Sequence, residues 1–163
     1  MPDRKRLAAF TVPLGFVLAA MLASCGSLSG IGGQATQGTG PLVTVTIHGG
    51  ECGSVPCDRT IYLDADGRVH AAEKPPNDLG TVPAAQMAAV TTAIAATDWA
   101  KLEAPKFTRQ CPTATDGQEL IFEFATSSGT QRVSSCQVAI DWSSPLFLAL
   151  GAALVQWVPI PKA

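Results

Sequence analysis

The sequence predicts an α+β domain, in which an antiparallel sheet of about four to five strands carries two helices on one face and two disulfides hold the chain together. Three observations predict it. Segments in which apolar and polar residues alternate come in pairs around short turns, as in β-hairpins. Two further segments have apolar residues at intervals of three and four, as in helices that pack on a sheet. Four cysteines remain once the first of the five is set aside, and an even number can form pairs.

The chain begins with a segment that has the layout of a secretory signal. Residues 4–6 are basic, and an apolar run that contains Pro13 and Gly15 continues to Met21. A mature membrane-spanning helix requires about 20 apolar residues, and this run is shorter and ends in small residues. We therefore predict a removable signal over residues 1–24.

The end of this signal, Leu22-Ala23-Ser24-Cys25, resembles the lipobox of bacterial lipoproteins. In that family the cysteine thiol receives a diacylglycerol, and the peptide bond before the cysteine is cut. The resemblance implies lipidation at Cys25, a palmitate-type modification, and a lipid anchor at the extracytoplasmic face of the cell membrane. An ordinary cleaved signal of a secreted protein, with an unmodified Cys25, is the alternative.

The remaining chain predicts a linker, one domain and a tail. Residues 26–40 contain six glycines and no charge, so we assign residues 25–41 to the lipidated cysteine and a flexible Gly/Ser-rich linker that spans on the order of 20 Å. Residues 42–158 have the length of one extracytoplasmic domain. Residues 159–163 are expected to form a C-terminal tail.

The charge balance argues against a nucleic-acid-binding protein. The whole chain has 11 basic and 13 acidic residues; the predicted signal holds three of the basic and one of the acidic residues, which leaves eight and twelve and a net charge of −4. No basic stripe is present that could displace the counterions of phosphates. The expected partners are the membrane, through the lipid, and an envelope protein; no cofactor is predicted.

Four cysteines outside the signal predict two disulfides in an oxidising compartment, and four cysteines allow three pairings. Cys52 and Cys57 lie in one short loop, which favours a local ring, with Cys111 paired to Cys136. The other two pairings stay open. A zinc site is disfavoured, because Cys111 and Cys136 do not form the closely spaced pair that a zinc knuckle requires.

Alternation of residue types predicts the strands in order. Residues 42–48 place Val43, Val45 and Ile47 on one face. Residues 60–72 predict a hairpin that turns at Asp66-Gly67, and residues 74–83 predict a loop. Residues 118–138 predict a second hairpin around a Ser-Ser-Gly turn. Its core side chains are expected to be Leu120, Phe122 and Phe124, with Glu119 and Glu123 on the solvent face.

Two helices complete the predicted fold. The first follows Pro83, with Thr81 as a possible cap, and ends at Asp98-Trp99. The second begins at Ser144-Pro145 and continues to residue 158, which is too short to span a bilayer and is typical of a buried helix.

The globular part resembles small domains of secreted bacterial lipoproteins of actinobacterial type. Four segments carry the resemblance: the Cys52–Cys57 loop, Asp64-Ala65-Asp66-Gly67, Asp98-Trp99, and the segment from Cys111 to Gly117. The resemblance covers residues 42 to about 157. It implies a fold and a compartment, and it supplies no catalytic residues.

Two motifs only partly match known chemistry. Asp64-Ala65-Asp66-Gly67 with Glu73 is similar to the later part of an EF-hand loop, but Tyr62 stands at the first ligand position, so a hairpin turn is favoured over calcium. His48-Gly49-Gly50-Glu51 is similar to the oxyanion loop of esterases, which also requires a G-x-S-x-G nucleophile that this chain lacks.

Other candidate residues favour surface or packing roles. His48 and His70 could lie near each other on adjacent strands, yet no third ligand or nucleophile accompanies them. Glu119 and Glu123 lie ~13 Å apart along a strand, too far for a retaining glycosidase pair. The three tryptophans lie at helix ends or beside apolar residues, which favours packing over a sugar or peptide groove.

The first functional hypothesis is therefore a membrane-anchored, non-enzymatic interaction or structural domain of the cell envelope. The second is a peptidase inhibitor or ligand-binding lipoprotein that uses the Cys52–Cys57 loop, because a pinned loop loses little entropy on binding. The third is a hydrolase that uses His48 or His70. No catalytic or metal-binding residue is assigned.

Overall fold

The computed structural model describes residues 40–50, 58–72 and 77–162. The predicted signal, Cys25 and most of the linker lie outside the described residues, as do Glu51, Cys52, Cys57 and Glu73.

The described chain has an α+β fold, as predicted, built on a six-stranded antiparallel sheet. The strand order is β4-β3-β2-β1-β5-β6, so the N-terminal strand lies in the interior beside β5. The strands are β1 (Val43–Gly49), β2 (Arg59–Leu63), β3 (Arg68–Ala71), β4 (Asn77–Thr81), β5 (Gln118–Thr126) and β6 (Gly129–Ser134).

The sheet has one strand more than the four to five predicted. The additional strand is the edge strand β4, whose residues were expected to form a loop. Its sequence, NDLGT, has no apolar alternation, and only Leu79 is partly buried. Backbone pairing with β3 forms this strand instead, with Arg68 opposite Thr81 and Ala71 opposite Asn77. Gly80 has a φ of +146° and lies so close to Trp157 that a Cβ atom would be 3.0 Å from the indole.

Three helices are present among the described residues: α1 (Ala84–Ala96), α2 (Trp99–Glu103) and α3 (Pro145–Leu154). The predicted pair corresponds to α1 and α3. Asp98-Trp99 was expected to end the first helix, but the Asp98 carboxylate accepts a hydrogen bond from the Lys101 N–H at 3.1 Å and starts α2.

The helix starts differ in detail from those expected. Thr81 does not cap α1, because it belongs to β4, and the N-cap residue is Pro83. Ser144 and Pro145 do begin α3 as predicted. That helix ends at Leu154, and a turn closed by hydrogen bonds from Trp157 and Val158 to the Leu154 carbonyl follows.

The core lies between α1, α3 and one face of the sheet. The predicted inward residues of β1 and both hairpins are buried, which confirms the alternation pattern, whereas α3, expected to be a buried helix, leaves Leu148 51% exposed. Phe122 is the centre of an aromatic cluster, with its ring 5.3 Å from that of Phe147 and 6.0 Å from that of Phe124. The fully buried large side chains include Ile61, Leu63, Leu150 and Leu154.

The opposite side of the sheet, which we call the open face, carries the alternate residues of each strand. Register places His70, Tyr62, Thr44, Glu123 and Arg132 in one row across β3, β2, β1, β5 and β6. These side chains are polar and half-exposed or exposed. No helix in the described part of the chain is long and apolar enough to cross a membrane.

Candidate functional site

Both histidines lie on the open face, and each contacts a carboxylate. His48 Nδ1 lies 2.6 Å from Asp58 Oδ1, and both side chains are at least half exposed. His70 Nδ1 lies 3.4 Å from Asp64 Oδ2, and its ring centroid is 5.1 Å from that of Tyr62. These contacts make two separate surface pairs.

The prediction that the two histidines could meet on adjacent strands was wrong, because β2 lies between their strands. His70 lies opposite Tyr62, which lies opposite Thr44, while His48 is four residues further along β1. At ~3.3 Å per residue and ~4.8 Å per strand, the two positions are roughly 16 Å apart. They cannot share a ligand or a substrate atom.

The predicted pair of Cys111 and Cys136 is joined by a disulfide, with Cα atoms 5.2 Å apart and a sequence separation of 25. The Glu119 side chain lies beside these sulfurs, and the three residues could form a metal-ligating group by distance alone. The two sulfurs bond each other, however, so neither is a thiolate that could bind a metal. Cys25, Cys52 and Cys57 lie outside the described residues.

The two glutamates of β5 have different partners. Glu119 accepts a hydrogen bond from the buried Ser134 hydroxyl, so it is less solvated than predicted. Glu123 lies 3.8 Å from Arg132 on the open face. The Ser134 hydroxyl that Glu119 contacts is buried, so a substrate in solution cannot reach it.

The segment that is similar to an EF-hand is a hairpin turn, as predicted. Asp66 Oδ1 accepts a hydrogen bond from the Arg68 N–H at 3.0 Å, and Gly67 has a φ of +90°. Arg68 extends to Asp78, and this hydrogen bond and charge raise the pKa of the guanidinium. Arg68 and Asp78 therefore form an ion pair between β3 and the edge strand β4.

A groove of about 510 Å³ is lined by Pro112 and Ser135, the neighbours in sequence of the disulfide cysteines Cys111 and Cys136. Two chain segments, 106–109 and 138–142, form much of its wall. They are paired by backbone hydrogen bonds from Phe107 to Gln137 (3.0 Å) and from Ala139 to Pro105 (2.8 Å). Pro112 lines a further side, and Pro159 and Pro161 of the predicted tail complete it. We call this the proline groove.

Two cations line the proline groove. The Arg109 guanidinium lies 5.7 Å from the centre of the Phe107 ring, a cation–π contact. Lys106 Nζ donates to the Glu103 carbonyl at 3.0 Å. Neither cation has a carboxylate partner within the described ranges.

Asp141 lines the same groove with the opposite charge. Its Oδ1 accepts hydrogen bonds from the Ser143 hydroxyl at 2.6 Å and from the Ser143 N–H at 3.0 Å. These bonds, the hydroxyl first, lower the pKa of the Asp141 carboxyl. The groove therefore contains groups of both signs.

A second cavity of about 620 Å³ shares Ala139 and Asp141 with the proline groove. Its other walls are mainly apolar and include Leu102, Leu146 and Phe147. Ser144 also lines it, although its Oγ is buried and has no hydrogen-bond partner in the part of the chain described.

Tryptophan packing is confirmed for two of the three residues by ring contacts. Trp99 lies 5.0 Å from Phe124, and Trp142 lies 5.1 Å from Phe147, centroid to centroid. Trp142 has a second role, since it also lines the proline groove.

Sequence reasoning missed the groove residues Lys106, Phe107, Arg109 and Asp141. In sequence, the segment K-F-T-R, residues 106–109, shows two cations and an aromatic residue together between two predicted elements, but not which other segments complete the wall. Comparison with protein-family models, with curated proteins and with solved structures finds no match to this chain. Function must therefore be inferred from the sequence, the disulfide and the groove.

Proposed function

We propose that this protein is a lipid-anchored extracytoplasmic domain of the bacterial cell envelope that binds a ligand or partner in the proline groove and performs no chemistry on it. One observation carries the binding part of this proposal. The groove is lined by two cations, Lys106 and Arg109, that have no carboxylate partner in the described chain.

The volume and lining of the groove support a binding role. About 510 Å³ lies within the range of small-molecule sites. Prolines and paired backbone segments make its walls rigid, so little conformational entropy is lost when a ligand binds. The wall contains both apolar surface, from Phe107 and Trp142, and charged groups that can orient a ligand.

Two arginines outside the groove pair with carboxylates. Arg68 pairs with Asp78 and Arg132 with Glu123, both away from the groove. These cations are compensated within the fold, whereas Arg109 is not. An uncompensated guanidinium beside an aromatic ring is a frequent anchor in binding sites.

The anchor and the compartment are supported by sequence and covalent structure. The lipobox-like segment before Cys25 supports lipidation, and a disulfide between Cys111 and Cys136 suits an oxidising compartment. A second disulfide between Cys52 and Cys57 is part of the proposal. This pairing leaves Cys25 as the odd thiol, which is available for the lipid.

The geometry around the histidines supports a non-enzymatic role. Hydrolysis by a histidine base requires a hydroxyl or thiol nucleophile within hydrogen-bond reach. Among the described residues, no such group bonds His48 or His70. Ser134, the buried serine of β6, is hydrogen-bonded to Glu119.

Metabolic labelling with palmitate tests the anchor. The full chain is expected to incorporate label, and Cys25→Ala is expected to lose it. Equal labelling of the two proteins would exclude lipidation at Cys25.

Site-specific photo-cross-linking in native envelopes tests the groove. A photoreactive amino acid is placed at Thr108, an exposed groove residue, and at Thr130, an exposed threonine of the edge strand β6. A cross-linked species from position 108 and not from position 130 is expected. Cross-linking from position 130 alone, or from neither position, would reject the groove as the binding surface.

A further inference from the structure

The proline groove presents opposite charges on two wall segments. Lys106 and Arg109 belong to segment 106–109, and Asp141 belongs to segment 138–142. A simple anion would pair with Lys106 and Arg109 but not with Asp141. A simple cation would pair with Asp141 but not with Lys106 or Arg109.

The cations are available to a carboxylate. The Arg109 guanidinium lies over the Phe107 ring, 5.7 Å from its centre, and its N–H groups have no acceptor among the described residues. Such a fork matches a carboxylate with two parallel hydrogen bonds. Lys106 uses one donor on the Glu103 carbonyl and retains two more.

The carboxylate is available to an ammonium group. Both hydrogen bonds to Asp141 end on Oδ1, so Oδ2 accepts none within the described residues. The same bonds lower the pKa of this group, which is therefore ionised at neutral pH. An ionised oxygen with free lone pairs binds an ammonium strongly.

We propose that the proline groove binds a short peptide with free termini, its carboxylate at Arg109 and Lys106 and its ammonium at Asp141. This proposal rests on the proposed binding function. Apolar surface from Ile140, Trp142 and Pro159 receives the side chains between the two termini. An acidic glycan matches the cations but meets the like charge of Asp141, which disfavours it.

Calorimetric titration of the full lipidated protein in detergent tests the proposal. The probes are the tripeptide alanyl-leucyl-alanine, its N-acetylated form, its C-amidated form and the doubly blocked form. Each block removes one charge-assisted contact, and since Lys106, Arg109 and Asp141 are exposed, a loss of about 2- to 5-fold in affinity is expected per terminus. This comparison uses only the unmutated protein, so it does not depend on the folding of any variant.

Matched variants assign each terminus to its residue. Arg109→Gln is expected to lower the affinity for the free peptide about 2- to 5-fold and to leave the affinity for the C-amidated peptide unchanged. Asp141→Asn is expected to lower the affinity for the free peptide by a similar factor and to leave the affinity for the N-acetylated peptide unchanged. Arg132→Gln, a cation of the open face, is the control and is expected to change nothing.

Three results would overturn the peptide assignment: equal binding of all four peptides, no binding of the free peptide, or tighter binding of a uronic acid disaccharide that depends on Arg109 alone. In each case, cross-linking from Thr108 in native envelopes would leave the proposed binding function standing with another ligand. Failure of both experiments would reject both proposals.

Discussion

The open face of the sheet and the proline groove use their charges in different ways. On the open face and at the edge of the sheet, charged side chains pair with one another, as Arg68 does with Asp78 and Arg132 with Glu123. In the groove, the Arg109 guanidinium lies over an aromatic ring and has no carboxylate partner in the described chain. Charge that is compensated within the fold maintains a soluble surface, whereas uncompensated charge in a concave site is available to a ligand.

The largest expected effect comes from removing the disulfide next to the groove. Replacing Cys111 and Cys136 together by serine is expected to lower the free energy of unfolding by about 3 kcal/mol, because the closed loop no longer restricts the unfolded chain. The neighbouring residues Pro112 and Ser135 line the groove, so cross-linking from position 108 should also fall. Urea unfolding measures the stability. An unchanged midpoint would show that the bond contributes nothing to the fold.

A smaller effect is expected from a glycine behind the groove wall. A Cβ atom on Gly117 would lie 2.5 Å from Pro112 Cβ and 2.8 Å from the Pro112 carbonyl oxygen. Gly117→Ala is therefore expected to destabilise the fold by roughly 1–3 kcal/mol and to displace Pro112 from the groove. Gly40→Ala is the control, since nothing lies within 4 Å of its Cβ position. Equal stability of the two variants would contradict this packing.

Still smaller changes are expected on the open face. His48→Ala, Asp58→Asn and the double variant should each change the free energy of unfolding by less than about 1 kcal/mol, because both side chains are exposed to solvent. A double-mutant cycle from urea unfolding measures the coupling. The yield of ligand cross-linked in the groove should not change. A loss of cross-linking as large as that of a groove variant would contradict the assignment of ligand binding to the groove rather than to the open face.

The smallest effect concerns Asp141. Its hydrogen bonds from Ser143 lower its pKa, so the stability they contribute is present above the ordinary carboxyl pKa of about 3.9 and is lost as the pH falls through the lowered value. Ser143→Ala removes the largest cause and should raise the pKa of Asp141, as measured by NMR titration of its carboxyl carbon. Ser128→Ala, an exposed serine of the β5–β6 turn, should leave the titration unchanged. A pKa that is the same in both variants would contradict this assignment.

The sheet was largely predictable because local patterns determine which side chains face the core. Alternation in residues 118–126 placed Phe122 and Phe124 inside, and the Asp66-Gly67 turn fixed the first hairpin. The edge strand β4 was not predictable, because its formation depends on backbone pairing with β3 and on contact with Trp157. Neither cause is visible in the residues of β4 themselves.

The groove could not be predicted, because its walls come from parts of the chain that are distant in sequence and have no periodicity. Arg109 follows α2, Asp141 precedes α3, and Pro159 follows α3. Tertiary packing and the disulfide between Cys111 and Cys136 place these segments near one another. The histidine positions were misjudged for a related reason, since strand order and not sequence distance separates His48 from His70.

The most direct test of a binding role for the groove compares two charge reversals in the full chain. Arg109→Glu reverses a cation of the groove, and Arg132→Glu reverses a cation of the open face, while the overall charge change is the same. The amount of partner cross-linked from Thr108 in native envelopes is measured for each. If the groove binds the partner, the cross-linked yield should fall at least about 10-fold for Arg109→Glu and should not fall for Arg132→Glu. Equal yields for the two variants, or a loss for Arg132→Glu alone, would contradict binding in the groove.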